Sequence, residues 1–524
     1  MDRLSRLPFH PIIFTTYPIL ALLATNIVEV EIKIVMRPLL ISLAGTVIVL
    51  LIVRLVLKDW RKAALVTTLF LMLFFSYGHL YQLLRTIPSL GMNIGRHRYL
   101  MVAYGALFVI GLWLILKKMG DISKVTQAIN LMGIALLIYP LFRITNYALN
   151  VSAGRRISDE FTTISTQLDI PDSGSLPDIY YIILDTYTRA DALQDDFGFD
   201  NSPFLEELQS IGFYIADCSR SNYSFTEASL TTTLNMEYLP ELYNILAEFG
   251  LDASDVWLLL KNNRVRNQLE AIGYSTVAFA TGYEWSCIDD ADVYLSLASD
   301  PYSIQLLDPF EAMLIKSTAV LIFTDLQFKS FAAQTSIVTE QINEINFPYS
   351  AFAQQQLFIL DQLPRIASFP GPKFVFVHIL KPHAPLIFGP DGEILTDTGY
   401  YGGKGGAAIN REYYRKGYVN EVQFINSRML DIVRTIIAQS RTPPIIIIQG
   451  DTGSRGNPFQ ILNVYYLSGK DNPILYSSIT PVNSFRVVFD TYFGTEYGLL
   501  PDESFPHNDM RNNVPETSPA CIPQ

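Results

Sequence analysis

Pro443-Pro444-Ile445-Ile446-Ile447-Ile448-Gln449-Gly450-Asp451-Thr452-Gly453 decides how the chain is read. Four consecutive isoleucines bounded by prolines and glycines describe a short strand buried on both faces, as in parallel sheets. The apolar run stops at a carboxylate flanked by glycines. In open α/β sheets, the loops leaving the carboxyl ends of strands are where ligands and metals bind. Asp451 is therefore a candidate cation ligand; the plainer alternative is a Gly-Asp turn.

Working outward, Asp178-Ile179-Tyr180-Tyr181-Ile182-Ile183-Leu184-Asp185 is a second apolar strand ending in a carboxylate. Phe374-Val375-Phe376-Val377-His378-Ile379-Leu380 is a third, running into Lys381-Pro382-His383-Ala384-Pro385. Tyr274–Ala280 and Asn463–Leu467 read as further strands. Helical patterns at Pro203–Ser210, 255–271 and Tyr413–Ser440 alternate with them, which indicates an α/β domain with a mostly parallel sheet. Parallel strands share a direction, so Asp185, His378 or His383, and Asp451 are expected along one edge. Two carboxylates and an imidazole there suit a hard or borderline divalent cation. Taken alone, His378 reads first as a strand histidine satisfied within the core. The hydroxyl-rich run from Ser219 to Leu234 contains Ser224 and Thr226 before Glu227-Ala228, a helix amino terminus. Thr226 would there offer a hydroxyl beside N–H groups that favour an anion. Such a hydroxyl beside a cation is the equipment of nucleophilic phosphoryl or sulfuryl transfer. The alternative for Thr226 is a simple helix cap.

Composition divides the chain. Of 524 residues, 49% are hydrophobic and 17% charged. Residues 1–150 carry fifteen Lys/Arg against five Asp/Glu, leaving 23 basic and 45 acidic residues beyond them. An acidic second part argues against nucleic acid as a partner. Five apolar segments fill the first part: Pro11–Ile27, Pro38–Leu57, Ala63–Leu84, Tyr99–Leu116 and Ala128–Leu149. Each approaches the roughly 20 residues that cross a bilayer as a helix. The segments lack acidic residues, which argues against an ion-coupled transporter. The Lys/Arg bias of the connecting loops favours an inner amino terminus and an outer carboxyl-terminal domain. Asn150 to Leu176 is polar and reads as a linker. Three cysteines match no zinc pattern; Cys218 and Cys287 are the pair considered for a disulfide. The run Gly402-Gly403-Lys404-Gly405-Gly406 lacks the spacing of a phosphate loop and reads as a flexible loop or lid.

Four blocks, in order, carry a resemblance. They are Pro177–Asp185, Ser221-Asn222-Tyr223 through Thr226 to Leu234-Asn235-Met236, His378–His383, and Gln449-Gly450-Asp451. Together they resemble the membrane-anchored sulfatase-like proteins of the alkaline phosphatase superfamily, whose relatives include lipoteichoic acid synthases and phosphoethanolamine transferases. The resemblance spans about 177–500. It implies that Asp185, Thr226 and Asp451 hold a divalent ion (Mn, Zn or Mg), that Thr226 is the nucleophile, and that His383 contacts substrate or a second metal. The pattern also calls for histidine after Asp451, where this chain has Thr452. A neutral hydroxyl ligates divalent ions far less well than imidazole. His378 is the local histidine available as a replacement.

The expectation is an α-helical membrane bundle followed by an α/β domain with a mostly parallel central sheet. Its parts are 1–149 with five spans, a linker 150–176, a sulfatase-like domain 177–500 and a tail 501–524. Its partners are the lipid bilayer and an anionic lipid or glycan ester outside the cytoplasm. His383, His378, Arg220, Arg189 and Arg455 are expected to bind the substrate. The rival expectation is an impaired member that binds a ligand without turning it over, on the strength of Thr452.

Overall fold

A computed structural model describes residues 7–86, 97–119, 121–164, 168, 176–297, 308–322, 350–395, 411–469, 474–506 and 521. The Gly402–Gly406 run, Pro171–Ser175 and most of the expected tail lie outside the described residues. Two compact units emerge. One comprises Met1–Leu149 with Ile304–Ala351, the other Asn150–Ser303 with Phe352–Gln524.

The first unit contains α1 (His10–Thr25), α2 (Met36–Leu57), α3 (Trp60–Thr86), α4 (His97–Trp113) and the start of α5 (Ile122–Ile164). Among the described residues, four segments are long and apolar enough to cross a membrane: Ile32–Leu57, Trp60–Leu84, His97–Lys118 and Ile122–Ser158. Of the five spans expected, the first is the shorter helix α1, with 16 residues and Pro18 inside it. At about 1.5 Å per residue it covers less than a bilayer core.

Two boundaries differ from those read in the sequence. The stretch from Asn150 was expected as a linker, yet α5 continues helically to Ile164. No proline follows Asn150 within the helix, and its last turns are held within the second unit. Asn150 donates to Asp255 at 2.8 Å, and Ser158 to Asn267 at 2.8 Å. A Cβ on Gly154 would lie 3.0 Å from the Asn262 side chain, so a glycine suits this close approach. The second difference is Ile304–Ala351, expected inside the sheet domain but grouped with the first unit. Its helix (Pro309–Ser317) opens with a capping box between Asp308 and Glu311. Phe310 and Leu314, four residues apart and hence on one face, join Ile19, Leu23, Leu71 and Phe75 in an apolar cluster. Arg37 pairs with Glu311 and, at 3.6 Å, with Asp308.

The second unit is built on one sheet. Among the described residues its strands are β1 (Ile179–Leu184), β2 (Tyr214–Ile215), β3 (Ser275–Phe279), β4 (Val293–Leu295), β5 (Lys373–Ile379), β6 (Ile445–Gly450) and β7 (Asn463–Leu467). Their order is β2-β7-β6-β1-β5-β3-β4. Strands β6, β1, β5, β3 and β4 run parallel; β7 lies antiparallel to β6, and β2 to β7. All residues of β1, β5 and β6 are buried, as apolar runs without alternation require. On one face Ile179, Tyr181, Ile183, Phe374, Phe376, Ile445 and Ile447 pack against Leu230 and Leu234. Those leucines belong to the helix Thr226–Asn235. The region 255–271, read as helix-forming, is broken by Asn263, whose side chain caps Arg264–Ala271 by accepting from Arg266 N–H.

Cysteine pairing also differs from the expectation. Cys218 bonds to Cys521, and Cys287 is free and buried. Sequence spacing carries no information on which distant segments meet.

Gly450 marks where β6 meets the loop after β1. A Cβ there would come within 2.4 Å of the Tyr187 carbonyl oxygen. Gly450→Ala should therefore destabilise the sheet domain by about 1–3 kcal/mol. Gly105→Ala, with open space around it, should leave stability unchanged. Thermal unfolding of the two variants in the same detergent checks the contrast.

Candidate metal and nucleophile site

Register brings the site together. In β1, Leu184 stands beside Gly450 of β6 and Ile379 of β5, so the next residues, Asp185 and Asp451, leave the sheet side by side. The Asp185 N–H still bonds to the Ile379 carbonyl at 3.0 Å. Side chains alternate along a strand. His378 shares its face with Phe374 and Phe376, and Asp185 continues the face of Tyr181 and Ile183. Asp451 follows Ile445 and Ile447 in the same way. All three therefore point to the face covered by Thr226–Asn235.

Asp185, His378 and Asp451 each bring one ligand atom within 4.8 Å of the others, and all three are buried. His378 Nε2 lies 3.5 Å from Asp185 Oδ2. The set has unmet valence: Asp185 Oδ1, Asp451 Oδ2 and both His378 ring nitrogens are buried without a hydrogen-bond partner. Such atoms are costly unless a cation or ordered water engages them. The donor set, two carboxylates and an imidazole, fits a divalent ion.

The helix Thr226–Asn235 begins beside this cluster. The Thr226 hydroxyl lies close enough to Asp451 to favour its ionised form. It is the first helical residue; the capping position belongs to Phe225, which offers no side-chain cap. The first-turn N–H groups are thus left without a side-chain acceptor, the arrangement that favours an anion. Burial pushes the next residue, Glu227, up to about 7, which lowers the negative charge at this entrance.

Thr186 adopts φ +60°, a left-handed conformation uncommon for a β-branched residue. Its N–H donates to Asp451 Oδ1 at 2.8 Å. Tyr418, from the helix Arg411–Gln439, holds the turn from both sides. Its hydroxyl donates to the Thr186 carbonyl at 2.6 Å and accepts from Thr188 N–H at 3.1 Å.

The two aspartates differ in charge state. Burial, followed by the charge of Asp185, raises the Asp451 carboxyl to about 6. Burial also opposes ionisation of Asp185, but His383, His378 and Lys381 outweigh it and hold this carboxyl below its usual value.

His383 sits exposed on the loop after β5 and is the largest attractive charge acting on Asp185. The three arginines expected at the substrate each have local partners. Arg189 forms a two-pronged pair with Asp191 at 2.8 and 2.6 Å and donates to the Ser219 carbonyl at 3.0 Å. Arg220 lies over the Phe459 ring at 5.1 Å, with Nε 3.4 Å from Ser504 Oγ. Arg455 lies over the Tyr414 ring at 5.7 Å. Arginine stacks on aromatic faces and pairs with neighbouring carboxylates, and such partners compete with any other ligand. Thr452 is buried next to Asp451, and His378 provides the imidazole of the cluster.

Sequence reasoning missed Lys381 and Glu421. Both are fully buried and paired at 3.0 Å. Lys381 also donates to the His383 and Pro385 carbonyls, and Glu421 accepts from the N–H groups of Ile387 and Phe388. Together they fasten the loop that carries His383, which contains cis bonds before Pro382 and Pro385. The available signal was a lysine placed directly after a strand buried along its whole length.

With this geometry established, comparison with known proteins adds a structural likeness. The fold is similar to that of membrane-anchored phosphoethanolamine transferases and of sulfatases. The C-terminal periplasmic domain of EcEptC from Escherichia coli matches at 11% identity and TM-score 0.39, over 67% of this chain and 96% of that one. The same domain has also been solved in complex with Zn. The integral membrane lipooligosaccharide phosphoethanolamine transferase A of Neisseria meningitidis matches at 10% identity and TM-score 0.36, over 93% of this chain and 95% of that one. BT1596, a 2-O GAG sulfatase, matches at 11% identity and TM-score 0.36, over 60% and 71%. No family model and no curated protein matches the sequence. Likeness at this level leaves function to the geometry of the site.

Two outcomes follow. A cation entering the cluster must displace the proton that Asp451 retains below about pH 6. Affinity for Zn²⁺ or Mn²⁺ should therefore rise with pH up to that value, with proton release on binding; calorimetry in buffers of different ionisation enthalpy measures both. Removing one partner of the buried Lys381–Glu421 pair, as in Glu421→Ala, should cost about 3–5 kcal/mol, read by denaturant unfolding of the full chain.

Proposed function

We propose that the chain is a membrane-anchored, metal-dependent enzyme that hydrolyses or transfers a phosphate- or sulfate-ester group on a lipid or glycan outside the cytoplasm. One observation carries this reading. The Thr226 hydroxyl, at an uncapped helix amino terminus, stands beside one carboxylate of a buried Asp185–His378–Asp451 cluster in which Asp185 Oδ1, Asp451 Oδ2 and both His378 ring nitrogens lack a hydrogen-bond partner. In this reading Asp185, His378 and Asp451, with Thr226, hold a divalent ion such as Zn, Mn or Mg. When bound, that ion supplies positive charge that favours an ionised hydroxyl and an anionic ester.

The chain's own residues do the rest. The Thr226 oxygen attacks phosphorus or sulfur, and the ester oxygen departs on the opposite side. The hydroxyl proton has an acceptor in the neighbouring Asp451 carboxylate. First-turn N–H groups of Thr226–Asn235 steady the charge that builds on the group being transferred. His383, exposed at the rim, is placed to contact the substrate. The outward placement is supported by the Cys218–Cys521 disulfide, a bond that persists in oxidising compartments.

A second reading rests on Thr452. If His378 is a poor substitute for a ligand at that position, the domain binds an anionic ester without turning it over. Metal analysis of the purified full chain, with turnover of a synthetic phosphodiester and sulfate ester, separates the two. The enzyme reading expects bound divalent metal, turnover abolished by Thr226→Ala, and metal lost in His378→Ala by about 10-fold or more in affinity. If the wild type holds no metal and has no turnover while Thr452→His gains both, the binding reading stands.

A further inference from the structure

The first unit contains a cavity of about 490 Å³ that the ester chemistry does not use. Its walls come from α1, α3 and α5, where Phe14, Leu71, Phe75 and Leu136 face it. Toward the carboxyl ends of α1 and α3 the lining becomes polar, with Thr25, Ser76 and His79 joined by Ser317. Ser317 ends the helix Pro309–Ser317, and the chain beyond it is docked on α3. The Ala319 N–H donates to the Phe74 carbonyl at 2.8 Å. A Cβ on Gly78 would lie 2.1 Å from the Lys316 carbonyl, so glycine permits this close approach.

Water is a poor occupant. Filling the space would take roughly 16 molecules, each needing 2–4 polar partners. The hydroxyls of Thr25, Ser76 and Ser317 already donate to carbonyls of their own helices. Two of the three wall helices, α3 and α5, are long and apolar enough to cross a membrane. The medium around such helices is hydrocarbon, and Met72 at the cavity is exposed to it. An apolar space with hydroxyls and an imidazole on one part of its lining matches a chain that is hydrocarbon throughout and polar where it joins its headgroup.

We propose that this cavity holds one acyl chain of a phospholipid drawn from the surrounding bilayer, with its ester end toward Ser76, His79 and Ser317. The site would tie α1 and α3 to the Pro309–Ser317 helix through a lipid. It stands independently of what the metal cluster does.

The test uses the full chain in phosphatidylcholine vesicles that contain phosphatidylcholine bearing a photoreactive diazirine on one acyl chain. Irradiation and peptide mapping should concentrate label on Phe14–Thr25 and Leu71–His79, above the level on the exposed residues of α2. Ala21→Phe, which fills the cavity, should remove that excess and leave α2 labelling unchanged. Leu136→Trp, from the opposite wall, gives the same reading should Ala21→Phe fail to fold. Label spread evenly over the exposed helices of the wild type, or an excess that survives both substitutions, would overturn the proposal.

Discussion

The parallel register that seats β1 between β5 and β6 is the constraint from which the rest of the second unit follows. It aligns Leu184 with Gly450 and Ile379. Two carboxylates then leave the sheet together, in a place sealed from water on the face of Thr226–Asn235. Like charges so close cannot both ionise freely. The protein answers with His378 from the neighbouring strand and Lys381 just beyond it, and with the Thr186 N–H on Asp451. Even so, Asp451 keeps its proton more readily than an exposed aspartate does. A buried site with this residual imbalance is primed for a cation, and the unpaired ligand atoms say the same from the side of hydrogen bonding.

Rigidity around the site comes from polar groups that have been taken out of water and fully used. Tyr418 pins a left-handed threonine on one side of Asp451. The Lys381–Glu421 pair anchors the loop bearing His383 on the other. Neither set earns its place through net stability, since desolvation consumes most of what such pairs gain. Their effect is to fix where one carboxylate and one imidazole can be.

Much of this was legible in the sequence. Continuous apolar runs announced β1, β5 and β6, and the carboxylates ending two of them, with the histidine near the end of the third, identified the edge where Asp185, Asp451 and His378 meet. Strand parity would even have placed His378 on the same face as the two aspartates, had its neighbours been assigned to a face. What stayed hidden depended on contacts between distant segments. Arg189 gave no hint in the sequence that Asp191, two residues on, would pair with it. Glu421, in the middle of a long helix, gave no hint that it faces Lys381. The Phe310–Leu314 stripe reads equally well as part of a sheet domain or of a membrane unit, because both cores are apolar. The partner of Cys218 lay near the far end of the chain, where composition says nothing about proximity.

That last pairing has a topological outcome. Joining Cys218 to Cys521 closes a covalent ring whose ends are 303 residues apart in the chain. Thr226, His378 and Asp451 all lie within it, and so does Ile304–Ala351, which packs with the first unit. Asp185 alone of the cluster stands outside, on the arm leading back to the helices. A chain nicked once anywhere inside the ring would remain a single molecule under non-reducing conditions, whereas a cut on the arm would release the ring whole.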